Sequence, residues 1–157
     1  MKSVNKILFV CLGNICRSPM AEGVFRAKAQ ELGLSLQFDS CGTGGWHAGE
    51  APDRRAQQCI REHGLDISDL RARKFRQSDF QDFDIIFTMD RSNYEDVIEM
   101  ANSTGDKEKV RMILSEIYPG ENISVPDPYY GGDQGFEHVF DLLNRSADKV
   151  LSQILHQ

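Results

Sequence analysis

Val10-Cys11-Leu12-Gly13-Asn14-Ile15-Cys16-Arg17-Ser18-Pro19 is the stretch from which the rest of the chain can be read. The apolar run Ile7-Leu8-Phe9-Val10 leads into it, and a helical pattern from Met20 to Leu32 leads out. The segment is therefore expected to be a turn between a buried strand and a helix N-terminus. Such a turn carries backbone N–H groups with no intrahelical partner, and these attract an anion. Cys11 opens the turn and Arg17 closes it. The residues between them, Leu12, Gly13, Asn14, Ile15 and Cys16, are spaced to wrap their amides into a ring around a phosphate. Gly13 and Asn14 are residue types that reach left-handed conformations at low cost. The planar fork of Arg17 suits two phosphate oxygens. Ser18 reads both as the helix N-cap, with Pro19 at the first helical position, and as a hydroxyl donor to the Cys11 sulfur.

A cysteine beneath such a ring is expected to react as a thiolate, because helix N-termini and neighbouring cations favour that form. It would face the phosphorus of whatever phosphate the ring holds. Cleaving a phosphate ester this way needs an acid for the leaving group, then a base to activate water against the phosphocysteine. One carboxyl group can do both in turn. Asp127, stiffened between Pro126 and Pro128, is the candidate, although Asp-Pro by itself is a turn signal.

Cys11-x5-Arg17-Ser18-Pro19 resembles the signature loop of the low-molecular-weight protein tyrosine phosphatases. Val125-Pro126-Asp127-Pro128-Tyr129-Tyr130 is similar to that family's general-acid loop. The segments Asp39-Ser40-Cys41-Gly42-Thr43 and Thr88-Met89-Asp90 also fit, and the likeness covers essentially the whole chain. It implies a Rossmann-like α/β three-layer sandwich, a four-stranded parallel sheet with helices on both faces, as one domain over residues 1–157. It implies a metal-independent hydrolase that removes phosphate from phosphotyrosine-containing proteins through a phosphocysteine on Cys11. Arg17 and the amides of residues 12–18 would bind the phosphate, and Asp127 would act as general acid and base. It favours a rim role for Tyr129 beside Tyr130. It also favours a redox role for Cys16, which would trap an oxidised Cys11 as a reversible disulfide; Cys16 alone reads equally as a small buried residue.

The order of elements agrees with that fold. Strands are expected at 6–11, 36–40, 85–89 and 110–114. Helices are expected at 19–32, 53–63, from Asp90 to about 101, and from Phe136 to about 155. This alternation implies a parallel sheet covered on both faces. Ligands in such sheets lie beyond the carboxyl ends of the strands, where Cys11 stands. Tyr129, Tyr130 and Trp46 offer a slot for a flat phenyl ring, with Leu12 at its floor or side; Trp46 reads equally as loop cover. His47 and Glu50 are placed to tune substrate preference. Asp90 reads as a helix N-cap. His63 reads either as a helix-terminal residue or as a support for the phosphate loop.

The chain has 157 residues, 40% hydrophobic and 27% charged, with a net charge of −6. This fits a soluble globular domain, and the acidic balance argues against nucleic-acid binding. No apolar run is long enough to span a membrane and no signal peptide is evident; a cytoplasmic monomer, or a weakly self-associating one, is the expectation. The four cysteines, Cys11, Cys16, Cys41 and Cys59, suggest neither structural disulfides nor a metal, since no Cys-x2-Cys pair is present. Cys41 and Cys59 read as packing. No cofactor is expected, because amides and Arg17 neutralise the phosphate. The basic residues Arg54, Arg55, Arg61, Arg71, Arg73, Lys74 and Arg76 read as a solvated face, with docking of acidic phosphopeptides as the alternative.

Other chemistries fit less well. Arsenate reduction on this fold needs further cysteines downstream of the loop, and none follows Cys59. Protein-arginine phosphatases of the same family tend to carry Thr where Ile15 stands and to lack the second tyrosine where Tyr130 stands. A phosphate-binding module without turnover would not need Cys11, Arg17 and Asp127 together.

Overall fold

The computed structural model describes residues 3–130 and 132–157. Four parallel strands, β1 (Lys6–Cys11), β2 (Gln37–Gly42), β3 (Ile85–Thr88) and β4 (Val110–Met112), form one sheet in the order β2-β1-β3-β4. The chain passes from β1 to β2 on one side and returns to β3 on the other. The carboxyl end of β1 therefore lies at the point where strand order reverses, the usual ligand position in such sheets. Cys11 is the last residue of β1 and pairs with Gly42.

Alternation along β1 sorts the core into two layers. Ile7, Phe9 and Cys11 face a cluster with Met20, Val24 and Phe25 of α1 (Arg17–Glu31), Ile60 of α2 (Arg54–Glu62) and Leu143 of α6 (Gly132–Leu155). Leu8 and Val10 face the opposite layer, with Phe80 of α3 (Asp79–Asp82) and Val97 of α4 (Arg91–Met100). The expected sheet with helices on both faces is therefore present. Phe9 packs against Phe25 and Phe87 with ring centroids 4.7 and 6.1 Å apart. Truncating such a fully buried ring to Ala costs about 3–5 kcal/mol, so the strand under the loop is firmly held.

Some boundaries differ from expectation. Helix α1 starts at Arg17, two residues before Pro19, with Cys16 at the cap position and no side-chain capping bond. Ser18 lies inside the first turn, because its hydroxyl is drawn to the Cys11 sulfur. Leu32, expected as the last helical residue, caps the helix instead and is exposed. Strand β4 stops at Met112 and passes into a 3-10 turn over Ile113–Glu116. A short helix, α5 (Thr104–Glu108), precedes β4; at five residues it is too short to leave a periodic signal.

Candidate active site

The loop between β1 and α1 turns its carbonyls outward. The Cys11 and Leu12 carbonyls accept the amides of Thr43 and Gly44, both at 2.9 Å, and the Ile15 carbonyl accepts the Asp53 amide at 2.8 Å. Among the described residues, the amides of Leu12, Gly13, Ile15, Cys16 and Arg17 donate to no protein acceptor. With those carbonyls occupied, the unpaired amides are available to an anion. Asn14 takes the left-handed conformation, with φ +58°. Gly13 does not; its value is closeness, since a Cβ there would stand 3.0 Å from His47 Cδ2. Gly42 is tighter still, because an added Cβ would meet the Leu12 carbonyl oxygen at 2.7 Å.

The Cys11 sulfur lies 2.9 Å from Ser18 Oγ and accepts the Asn14 amide at 3.2 Å. Behind it runs a buried polar chain. Asn14 Nδ2 donates to Ser18 Oγ at 2.7 Å and to Ser40 Oγ at 3.0 Å, and Ser40 Oγ donates to Glu22 Oε1 at 2.8 Å. Asn14 Oδ1 accepts the Arg73 amide at 3.0 Å. The Arg73 guanidinium is clamped by Asp39 at 3.0 Å and by the fully buried Asp79 at 3.0 Å. Burial pushes the Glu22 carboxyl above its ordinary range, against bonds from Ser40 and Arg26 that lower it.

Arg17 is 4% exposed. Its Nη1 donates to Asp90 Oδ2 at 2.8 Å and to the Val125 carbonyl at 3.0 Å. Asp90 is also the N-cap of α4, accepting the Asn93 amide at 2.7 Å within a capping box. The Val125 amide donates to the Met89 carbonyl at 2.7 Å. The segment leading to Asp127 is thus pinned to the end of β3 and to Arg17 at once.

These parts converge on one cleft of about 280 Å³, lined by Cys11, Leu12, Gly13, Ile15, Cys16, Arg17, Trp46, His47, Asp127 and Tyr129. Asp127 is exposed, and its Oδ1 accepts the Tyr129 amide at 3.0 Å. Leu12, Trp46 and Tyr129 present open faces at the mouth, Trp46 packing over Gly44. The Arg55 guanidinium sits 5.0 Å from the centre of the Tyr129 ring. The Tyr130 side chain, also expected at the rim, lies outside the described residues.

A model of the family described as low molecular weight phosphotyrosine protein phosphatase matches residues 6–157. The chain belongs to that family. It is 48% identical over 152 residues to the fission yeast (Schizosaccharomyces pombe) low molecular weight phosphotyrosine protein phosphatase, covering 95% of this chain and 96% of the relative. The crystal structure of YfkJ from Bacillus subtilis superposes with a TM-score of 0.89 at 38% identity, covering 98% of this chain and 96% of that one. The crystal structure of a Drosophila arginine phosphatase is nearly as close, with a TM-score of 0.87 at 34% identity, covering 94% and 96%.

Within this low-molecular-weight phosphatase fold some residues take places the sequence did not assign. His63 does not reach the phosphate loop; it ends α2, where Nε2 meets Glu137 at 3.0 Å and the ring stacks on Phe140. Asp90 carries the Arg17 ion pair as well as its cap. Glu22 and Ser40 were missed because their partners lie 18 and 26 residues away in sequence. Of the basic cluster, Arg73 and Arg55 are held in ion pairs, with Asp39 and Asp79 and with Asp53 respectively.

Proposed function

We propose that this chain hydrolyses phosphotyrosine in proteins. The loop amides and the Nε–Nη2 edge of Arg17, which makes no hydrogen bond among the described residues, would hold three phosphate oxygens and leave the ester oxygen toward the cleft mouth. The Cys11 sulfur attacks phosphorus, the P–O bond to the phenol breaks, and Asp127 gives its proton to the departing oxygen. Asp127, now a carboxylate, takes a proton from water as that water attacks the phosphocysteine. Phosphate leaves and Cys11 is regenerated. Ser18 and the Asn14 amide stabilise the sulfur anion at both ends of the cycle. The observation that carries this reading is the convergence of Cys11, Arg17 and Asp127 on one cleft whose mouth is apolar.

Trp46, Tyr129 and Leu12 form the slot for the phenyl ring. Ile15 lines the same cleft; its apolar side chain suits a phenyl ring and offers no acceptor to a guanidinium, which favours phosphotyrosine over phosphoarginine. Cys16 is held as a neutral thiol by its burial and then by Asp53, and we assign it the role of capturing an oxidised Cys11. Peroxide treatment followed by mass spectrometry should reveal a Cys11–Cys16 bridge; higher oxygen acids on Cys11 without one would remove that role. We place the protein in the cytoplasm as a monomer or weak self-associate; among the described residues no helix is long and apolar enough to cross a membrane.

Rapid acid quench during turnover of a phosphotyrosine peptide tests the mechanism. Phosphate should be recovered on Cys11 in the wild type, and in larger amount in Asp127→Ala with a good leaving group. Absence of a phosphoenzyme in both would overturn it.

A further inference from the structure

On the side of α2 that faces α6, three donor groups come together away from the cleft. Cys59 and His63 are four residues apart, one helical turn, and so project from the same face. Glu137 meets them from α6. His63 Nε2 lies 3.0 and 3.1 Å from the two Glu137 oxygens, and Cys59 Sγ lies 3.4 Å from Oε1. All three ligand atoms fall within 4.8 Å of one another. Bonds of ~2.0–2.3 Å to a tetrahedral zinc ion set neighbouring ligand atoms ~3.3–3.5 Å apart; the two pairs that include Glu137 need shifts of a few tenths of an ångström, and Cys59 Sγ and His63 Nε2, within 4.8 Å of each other, close the rest on binding.

The surroundings fit a metal. Phe140 stacks on the His63 ring at 3.6 Å with 9° between planes, which fixes the ring orientation. Cys59 and Glu137 border a cleft of about 100 Å³ shared with Glu62 and Asp133, giving access to an ion and room for a water or a second carboxylate as fourth ligand. Thiolate, imidazole and carboxylate together favour zinc over magnesium or calcium, which prefer oxygen alone.

We propose that Cys59, His63 and Glu137 bind a zinc ion that ties α2 to the first half of α6, in a site separate from the catalytic one. On binding, the Cys59 S–H bond breaks, its proton goes to solvent, an S–Zn bond forms and water leaves the ion.

Cobalt(II), a spectroscopic stand-in for zinc, gives the test on the full chain. Titration should yield one ion per chain, with a thiolate-to-cobalt charge-transfer band that zinc displaces. The band should be lost in Cys59→Ser, survive in Cys11→Ser, and require roughly tenfold or more higher cobalt in His63→Gln, a change at an exposed position that leaves the core intact. A band that persists in Cys59→Ser, or that vanishes in Cys11→Ser and so places the ion on the catalytic cysteine, would overturn the proposal. So would no uptake by the wild type.

Discussion

At the residue scale, Asn14 does the work of several groups. Its left-handed backbone bends the loop, its amide meets the Cys11 sulfur, and its side chain reaches Ser18, Ser40 and the Arg73 amide. The far end of that chain is Glu22, a buried carboxyl raised above its ordinary range by desolvation. A raised carboxyl stabilises the fold fully below its unfolded value, and that contribution is lost as pH rises through the folded one. Glu22→Gln has no such dependence. Thermal melts from about pH 4 to pH 8 should therefore show wild type losing ground steadily to the variant as pH rises; a constant gap would mean that Glu22 titrates normally. At the cleft mouth, Asp127→Ala should lower kcat by about 10²–10⁴-fold with phenyl phosphate. The loss should shrink with leaving groups that depart without a proton. An equal loss for both would remove the acid role.

At the scale of elements, the phosphate loop is held by what surrounds it. Gly42 on β2 lets the backbone pass within reach of Leu12, and Asp90 at the head of α4 secures Arg17. Asp90 does two jobs, and one substitution separates them. Asn caps helices as well as Asp does, so Asp90→Asn should retain α4 by circular dichroism. It should still lose the charge partner of a buried guanidinium, a bond of a class that contributes about 1.5–3 kcal/mol. A fall in kcat/KM of roughly tenfold or more is expected by steady-state assay. An unchanged kcat/KM would show that Arg17 is positioned by Val125 alone.

At the scale of the whole molecule, the anion site proposed for this chain of net charge −6 draws on one loop, one guanidinium and the end of one strand. That economy explains what was legible in the sequence. The strand, the turn and the helix of the phosphate loop are contiguous, and so are Pro126, Asp127 and Pro128; a linear reading sees both. The alternation of apolar runs with helical periods likewise revealed the layered parallel sheet. Hidden from such a reading were groups whose partners come from elsewhere. Arg17 finds Asp90 73 residues on, Arg73 finds Asp39 34 residues back, and Cys59 finds Glu137 78 residues on. Ser18 carried two local signals, a cap before Pro19 and a hydroxyl within reach of the Cys11 sulfur; the structure keeps the second and moves the cap position to Cys16.

We propose that Cys11 carries phosphotyrosine hydrolysis without a metal. The most direct test is phosphate release from a phosphotyrosine peptide and a phosphoarginine peptide, in EDTA, by wild type and Cys11→Ser. Turnover of phosphotyrosine in preference to phosphoarginine is expected, undiminished by EDTA and abolished in the variant. Preference for phosphoarginine would reassign the substrate, while activity that survives Cys11→Ser, or none in the wild type, would show that Cys11 is not the nucleophile of a phosphotyrosine phosphatase.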